Sequence, residues 1–385
     1  MASASNAAIR LLECGSKMPF PPIEEIRENG IHVLFNPKAG SHAGDIIKDT
    51  LYRFGTDHIN YHIPSSKQDF KKMISWLAAE AEKRQTYIMI IIVGGDGTYH
   101  DTVNATGNLG RLILGLTDGG SSSDYTRTLG IKKYHRMCNL VNALIDNEVS
   151  LEERVKLADM IKISYNLGDE EKSINGLNLF SIGFDGEVCK KTNSSAIQGG
   201  IKKKLGYIPA SIQVLRNYVP LDIEYIINGE PDSKDVAKNV LSFVLINGQY
   251  AASGMQYNPY GRVDDEKLEC VIAQYSSKKN EKKDLPKSAF QMLKPAFQVV
   301  RLAFHIKVLK DNKIVDSLPQ ASRYNKYGAI YLDRIKSMDL KIINPETGKE
   351  SYFESDGEYY QYEPTHPLHL EVIPKAVNVL HVPAS

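Results

Sequence analysis

The chain has 385 residues and a formal net charge of +1, and this length is sufficient for two domains with separate hydrophobic cores. The balanced charge gives no indication of nucleic-acid binding. The four cysteines are scattered without the spacing of a metal site, which favours free thiols in a reducing compartment. No apolar run approaches the ~20 residues that span a bilayer, and residues 1–28 lack the pattern of a signal peptide. We therefore expect a soluble cytoplasmic protein.

Residues 29–152 alternate between strand and helix patterns. Strands are predicted at residues 31–35, 59–63, 87–93 and 112–117. Helices are predicted at residues 45–54, 67–84 and 134–147, the second capped by Ser65 or Ser66. This alternation is typical of a parallel sheet covered by helices, which binds ligands at the carboxyl ends of its strands. Turns rich in glycine or serine occupy those ends, at residues 36–41, 94–98 and 119–123.

The turn after the third strand, Gly94-Gly95-Asp96-Gly97-Thr98, is the most informative stretch. Its glycines let backbone N–H groups approach a ligand closely, and the helix N-terminus behind them favours anions. Thr98 and Asp101 have the spacing of a capping box, which predicts that Thr98 is the N-cap of a helix over residues 98–106. Asp96 places an acid where a phosphate would bind, and a divalent cation between the two would account for it.

A second candidate phosphate loop follows the fourth strand, at residues 118–127. Two glycines and three serines precede a short helix there, and their N–H and O–H groups can donate hydrogen bonds to phosphate. Asp124 and Arg127 lie three residues apart and are expected to pair. Taken alone, the segment is also compatible with a flexible linker.

The pattern changes to short strands with few helices over residues 153–373, which predicts an antiparallel sandwich. Strands are predicted at residues 154–165, 177–184, 221–227, 240–246, 267–275, 330–343, 352–362 and 368–373. Helices are predicted at residues 206–217 and 288–309. Residues 1–28 are interpreted as a partly disordered N-terminal extension, and residues 374–385 as a C-terminal segment that packs back on the first domain.

A series of short motifs in this order resembles the catalytic region of the diacylglycerol and sphingosine lipid kinases. The first half contributes Asn36-Pro37-Lys38-Ala39-Gly40, the Asp96 turn and residues 120–130. The second half contributes a strand-like segment at residues 180–188, a turn at residues 254–268, and Asp356-Gly357-Glu358 followed by residues 374–376. The resemblance implies a Rossmann-like parallel-sheet domain, similar to that of NAD kinase and 6-phosphofructokinase, followed by an antiparallel β-sandwich domain.

The same resemblance implies an ATP-dependent kinase that phosphorylates a lipid hydroxyl. The ATP phosphates and ribose would be lined by Asn36, Pro37, Lys38, Ala39, Gly40, Gly94, Gly95, Asp96, Gly97, Thr98, Tyr99 and His100. Ser121 would contact the nucleotide in place of the family's threonine, and Ser65 or Ser66 would add a hydroxyl. Glu358 would be the general base, with Asp356 on the same face of one strand, and the sequence leaves open which acid takes the proton. Asp265 would bind a structural Mg²⁺ with the backbone carbonyls of Arg262 and Lys267.

Three features depart from the family pattern. Residues 118–124 lack its proline and its asparagine, Asp101 replaces a glutamate, and Glu266 stands where the family usually has glycine. These changes bear on the nucleotide loop and on the metal turn.

A lipid substrate implies peripheral contact with a membrane surface. Residues 289–309 place five apolar side chains on one helical face, a pattern that fits either a membrane-surface helix or a helix facing the core. The lysines at positions 278, 279, 282 and 283 are further candidates for contact with anionic lipid. The sequence leaves open whether the chain forms a homodimer.

The sequence leaves open which lipid is phosphorylated and whether the chain is catalytically active. Diacylglycerol is the expected acceptor, which would give a product like phosphatidic acid, while a sphingosine- or ceramide-type lipid is a second possibility. The altered loop at residues 118–124 also leaves room for a catalytically inactive nucleotide- or lipid-binding homologue. Retention of Asp96, Asp356 and Glu358 favours an active enzyme.

Overall fold

The computed structural model describes residues 20–36, 59–120, 123–131, 133–194, 210, 213–214, 218–252, 254–274, 329–343, 345 and 350–383. Several predicted features lie outside these residues, namely the helices at residues 45–54 and 288–309, the four lysines between residues 278 and 283, and most of residues 206–217. Pro37, Lys38, Ala39, Gly40 and Ser121 also lie outside them.

The first domain is built on a parallel sheet. Its strands are β1 (Ile31–Phe35), β2 (Ile59–His62), β3 (Ile88–Gly94) and β4 (Leu112–Asp118), in the order β2-β1-β3-β4. All seven residues of β3 are buried, because helices cover the sheet and a central parallel strand packs on both faces. The predicted parallel sheet is confirmed, and each described strand boundary falls within one residue of its prediction.

Five helices accompany this sheet among the described residues. They are α1 (Ile23–Asn29), α2 (Lys67–Arg84), α3 (Asp96–Val103), α4 (Asp124–Thr128) and α5 (Tyr134–Ile145). Helix α2 has the predicted bounds because Ser66 is its N-cap, accepting a hydrogen bond from the Asp69 N–H at 3.1 Å. Helix α1 overlaps the end of residues 1–28, which were interpreted as a partly disordered extension, and its buried Ile23 and Ile26 join the first core.

The start of α3 differs from the sequence prediction. Gly95 is its N-cap, and the N–H of Thr98 donates to the Gly95 carbonyl at 2.8 Å, so Thr98 lies inside the first turn. Asp101 does not complete a capping box but forms ion pairs with two lysines of α2. The helix therefore begins directly behind the glycines, with Asp96 as its first residue.

Among the described residues, the second domain is formed by mainly antiparallel strands, the α-helix α6 (Phe184–Ser194) and a short 3₁₀ helix at Pro231–Ser233. Its strands are β5 (Val155–Leu167), β6 (Glu170–Gly176), β7 (Leu179–Gly183), β8 (Leu221–Ile227), β9 (Asp235–Ile246), β10 (Tyr250–Ala251), β11 (Met255–Gln256), β12 (Leu268–Gln274), β13 (Ala329–Ile335), β14 (Ser337–Ile342), β15 (Ser351–Ser355), β16 (Glu358–Tyr362) and β17 (Leu368–Leu380). The sandwich prediction is confirmed, and its core is a second cluster of buried aliphatic and aromatic residues.

Three local predictions in this domain were wrong. Residues 330–343 form two strands separated at Lys336, and residues 352–362 form a hairpin rather than one strand. Residues 184–188 begin helix α6 instead of continuing β7. In the hairpin, Asp356 (φ +51°) and Gly357 (φ +85°) occupy a two-residue turn in the left-handed region, so Asp356 and Glu358 do not share a strand face.

Two 13-residue strands connect the domains. Strands β5 and β17 pair along most of their lengths, and β17 also pairs with β14 at one end and in parallel with β4 at the other. Ala158 and Val377 pack in the first core, whereas Ile163 and Leu370 pack in the second. The C-terminal end of β17 thus adds a fifth strand to the parallel sheet.

Candidate active site

The two glycine loops meet at the carboxyl edge of the parallel sheet. The N–H of Gly119 donates to the carbonyl of Gly94 at 2.9 Å. A Cβ on Gly95 would lie only 2.6 Å from the Cα of Gly120, so both backbones depend on the absence of a side chain there. The predicted convergence of these turns is therefore confirmed for the described residues.

Asp96 links the two loops. One carboxylate oxygen accepts a hydrogen bond from the N–H of Asp124 at 3.2 Å, and the other accepts from the N–H of Tyr125 at 3.4 Å. These N–H groups belong to the first turn of α4, so Asp96 satisfies donors that have no partner within that helix. Arg127 of the same helix pairs with Asp124 at 3.2 Å, as the spacing predicted.

Asn36 and Thr98 join the first strand to the glycine loop. The side-chain amide of Asn36 donates to the Thr98 hydroxyl at 2.8 Å. Ser65 and Ser66 lie at the end of β2, and both hydroxyls bond to the Asp69 carboxylate at the start of α2. Ser66, one of the two serines predicted to contact nucleotide, therefore already serves as the N-cap of α2.

Tyr99 and His100 are buried beneath the loop, each with 1% of its surface exposed. The Tyr99 hydroxyl lies within hydrogen-bonding range of the carbonyls of Gly94 (2.8 Å) and Thr117, and so joins β3 to β4. His100 crosses to the second domain, where its ring nitrogens contact Asp356 at 3.3 Å and the Tyr360 hydroxyl at 2.5 Å. Both side chains support the loop from the inside rather than facing the cleft.

Asp356 is a structural anchor. Its carboxylate accepts hydrogen bonds from the backbone N–H groups of Leu177, Asn178 and Leu179 at 2.7, 2.9 and 3.0 Å. Only 4% of the residue is exposed, and His100 contacts the same carboxylate. With its lone pairs directed at these donors, Asp356 is poorly placed to take a proton from a substrate.

Glu358 is the accessible acid of the pair. Its side chain is 35% exposed. One carboxylate oxygen lies so close to Gly97 that a Cβ there would approach it to 2.8 Å. The hairpin of the second domain thus places a carboxylate directly against the glycine loop of the first.

Several residues that support this arrangement were not singled out from the sequence. Lys67, at the start of α2, lies 3.5 Å from Glu358 and 3.0 Å from Asp101. Asn104 and the backbone of Asn175 exchange two hydrogen bonds across the domain interface, at 2.7 and 2.8 Å. Lys67 directly follows Ser65 and Ser66, which were predicted to contact nucleotide, and this was the available signal for it.

Glu354 braces the hairpin from the sandwich side. It accepts hydrogen bonds from the Ser181 hydroxyl at 2.8 Å and from the Gly357 N–H at 3.1 Å. Burial, with a smaller contribution from the charge of Asp185, raises the pKa of Glu354 to about 8. The acid is therefore largely protonated at neutral pH.

Comparisons with known proteins agree with this architecture. Residues 30–157 match the diacylglycerol kinase catalytic domain, and residues 178–292 match the YegS C-terminal NAD kinase beta sandwich-like domain. The two matched regions together cover more than half of the chain. The chain belongs to the diacylglycerol kinase-like lipid kinase family.

Individual relatives are distant. A putative lipid kinase of Staphylococcus aureus strain MRSA252 is 24% identical over 198 residues, which are 50% of this chain and 56% of the relative, and the protein of strain Newman gives the same figures. The chain thus spans little more than half the length of these relatives. A crystal structure of a putative diacylglycerol kinase from Bacillus anthracis covers 92% of this chain and 95% of its own, with a TM-score of 0.58 and 19% identity. A second structure from that organism has a TM-score of 0.57 and 17% identity.

The turn at residues 262–267 is where the family resemblance implies a metal. Burial raises the pKa of Asp265, and one of its buried carboxylate oxygens has no hydrogen-bond partner among the described residues. Among the residues that the structure describes, no group of three acidic, histidine or cysteine side chains could hold a metal ion. A carboxylate oxygen that accepts no hydrogen bond can bind a hard cation such as Mg²⁺.

Glu266 shows why the family usually has glycine at this position. Its φ is +63°, a conformation that glycine adopts without strain. Two contacts hold the residue there, since its N–H donates to Asp159 at 2.7 Å and its carboxylate pairs with Lys375 at 2.7 Å. The departure therefore preserves the turn.

Proposed function

We propose that the chain is an ATP-dependent lipid kinase that transfers the γ-phosphoryl group to a hydroxyl of a lipid such as diacylglycerol, giving a phospholipid product. The observation that carries the proposal is the position of the Glu358 carboxylate against Gly97. A base next to a phosphate-binding loop is the arrangement that phosphoryl transfer to an alcohol requires.

In this proposal the first domain binds the ATP phosphates and the second domain supplies the base. Backbone N–H groups of the loop at residues 94–97 would bind the ATP phosphates, helped by the N-terminus of α3, whereas the N–H groups of Gly119 and Gly120 already donate to the Gly94 carbonyl and the Ser123 hydroxyl and brace that loop. Glu358 would accept the proton of the lipid hydroxyl. The oxygen of that hydroxyl would form a bond to the γ-phosphorus while the bond from this phosphorus to the β-phosphate oxygen breaks, releasing ADP. Asp96 has the hard oxygens that suit Mg²⁺, and a bound ion would neutralise phosphate charge. Asp265, with the carbonyls of Arg262 and Lys267, would hold a separate structural Mg²⁺.

Membrane contact is part of the same proposal, because the acceptor is a bilayer lipid. Each described helix is too short or too polar to cross a membrane. We therefore propose peripheral association.

The test is transfer of radiolabelled phosphate from ATP into a panel of neutral lipids, including diacylglycerol, monoacylglycerol, ceramide and sphingosine. Incorporation into diacylglycerol is expected. Preferential labelling of sphingosine or ceramide would support the alternative acceptor class, and no incorporation into any lipid would support an inactive binding homologue.

The two acids of the hairpin are expected to respond differently to amide substitution. Glu358→Gln should lower kcat by on the order of 10²–10⁴ with little change in ATP affinity or melting temperature, because it removes a positioned base from a partly exposed site. Asp356→Asn should instead lower the free energy of unfolding by about 2 kcal/mol, because an amide NH₂ would face a backbone donor. Steady-state kinetics and thermal unfolding of both variants measure this. Loss of ATP binding in Glu358→Gln would reassign that residue to the nucleotide site.

A further inference from the structure

Lys67 lies between two acids from different elements. Its ammonium group is 3.0 Å from a carboxylate oxygen of Asp101 on α3 and 3.5 Å from a carboxylate oxygen of Glu358 on β16. The other Glu358 oxygen faces Gly97. One lysine therefore connects the first turn of α2, the glycine-loop helix and the hairpin of the second domain.

The carboxylates of Asp101 and Glu358 differ in exposure, and this difference suggests a separate role for each in its contact with Lys67. The Asp101 side chain is 10% exposed and is held by Lys71 at 3.2 Å as well as by Lys67. The Glu358 side chain is 35% exposed, and among the described residues it forms an ion pair with Lys67. Asp101 can thus hold the ammonium group in place, while Glu358 stays free to meet a substrate from the cleft.

Charges around Glu358 come from several elements. Lys67 approaches it from α2 and Tyr360 lies on its own strand, whereas Lys71 contacts Asp101 on α3 and His100 contacts Asp356 in the hairpin turn. Tyr165 of β5 packs on Tyr360, and Glu187 of α6 faces Tyr362 farther along the strand. Burial alone would lower the pKa of Lys67, but the charges of Glu358 and Asp101 and their hydrogen bonds raise it overall, so the lysine stays charged.

We propose that Lys67 is a positioning residue, which holds the Glu358 carboxylate against the glycine loop and which is itself held by Asp101. The inference rests on the proposed kinase function, because it assigns a partner to the base of that reaction. A contact with an exposed lysine contributes little to folding stability. Its effect on a base is larger, because an ordered carboxylate is closer to the reactive geometry.

The experiment compares Lys67→Met and Lys67→Arg with Lys71→Met as the matched control. Lys71 lies on the same helix and shares Asp101, but pairs with no other acid among the described residues. Lys67→Met should lower kcat about tenfold, with the KM for ATP and the melting temperature little changed. Lys67→Arg should restore kcat to within about threefold of wild type, because it keeps a cation beside Glu358.

Two kinetic outcomes would overturn the inference. One is a Lys67→Met enzyme with the kcat of wild type, and the other is an equal loss of kcat in Lys71→Met. A measurement without turnover separates this inference from the proposed function. The Glu358 carboxyl carbon can be followed by NMR at constant pH in ¹³C-glutamate-labelled protein, with Glu358→Gln assigning the signal. The signal should shift in Lys67→Met and return toward its wild-type position in Lys67→Arg even if no lipid is phosphorylated, and an unchanged signal in Lys67→Met would also refute the inference.

Discussion

Asp356 and Glu358 are two residues apart, yet their carboxylates have different surroundings. The Asp356 carboxylate accepts hydrogen bonds from three backbone N–H groups and contacts His100, whereas Glu358 faces Gly97 and Lys67 in the cleft. The turn between them reverses the chain, so one acid points into the protein and the other toward the glycine loop. At the scale of single residues, partner number and exposure separate an anchoring acid from a candidate base.

Gly97 offers a test of that proximity. Gly97→Ala should lower kcat at least about tenfold, because the new methyl group would lie 2.8 Å from the Glu358 oxygen and would displace this flexible side chain. The fold should tolerate the change and gain up to about 1 kcal/mol, because alanine favours the helix in which Gly97 lies.

Kinetics and thermal unfolding measure the two effects. Gly107→Ala is the control, since no atom lies within 4 Å of a Cβ at that position. Near-normal kcat in Gly97→Ala would mean that the Glu358 carboxylate is placed elsewhere during the reaction.

At the scale of elements, neighbouring strands are joined by side chains as well as by the backbone ladder. His32 of β1 and His62 of β2 lie with ring nitrogens 2.9 Å apart, and 7% of His32 is exposed. Burial, with smaller contributions from the nearby His62 and Arg84, lowers the pKa of His32 to about 4, and burial also lowers the pKa of His62. The strand pair therefore prefers neutral imidazoles.

The stability of the first domain should fall in acid for this reason. The unfolded chain binds a proton on His32 below pH ~6.5, whereas the folded protein binds it only near pH 4, so stability should be lost as the pH falls through this window. The full effect is at most about 3 kcal/mol. Urea unfolding at pH 7 and pH 5 measures it. His32→Phe should reduce the difference between these two pH values, whereas His366→Gln, at an exposed position, should leave it unchanged.

At the scale of the whole molecule, strands β5 and β17 make one unit of two domains. Asp159 of β5 is fully buried, and its carboxylate accepts hydrogen bonds from the N–H groups of Glu266 at 2.7 Å and Lys375 at 2.8 Å. Lys375 lies at the irregularity in β17, between Ile373 and Val377, where the strand passes from one core to the other. A single acid thus fixes the crossing point and the turn that carries Asp265.

Asp159→Ala should lower the free energy of unfolding by about 3 kcal/mol, because two backbone N–H donors would lose their buried acceptor. Chemical denaturation measures this loss. Asp264→Ala is the matched control, since its partly exposed pair with Lys156 at 3.0 Å should contribute less than about 1 kcal/mol. Equal losses in the two variants would contradict the anchoring role of Asp159.

The sequence by itself determined the elements whose signals are local. Strand β3 could be predicted because burial on both faces requires an unbroken apolar run, and helix α2 could be bounded because Ser66 caps its first turn. The positions of the glycine loops followed from the order of strands and helices. Helix α6 was missed, because the preceding β7 is apolar and the segment Phe184–Val188 has no cap signal to separate it from that strand.

Only the tertiary structure decided which side chains meet. Asp356 finds its donors 177–179 residues away along the chain, and Lys67 meets Glu358 across 291 residues. No local pattern encodes such contacts, because they depend on how two separately patterned domains pack through β5 and β17. The sequence could name Asp356 and Glu358 as a pair of candidate acids. Their different roles follow from burial and hydrogen bonding, which arise only when the hairpin packs against the glycine loop.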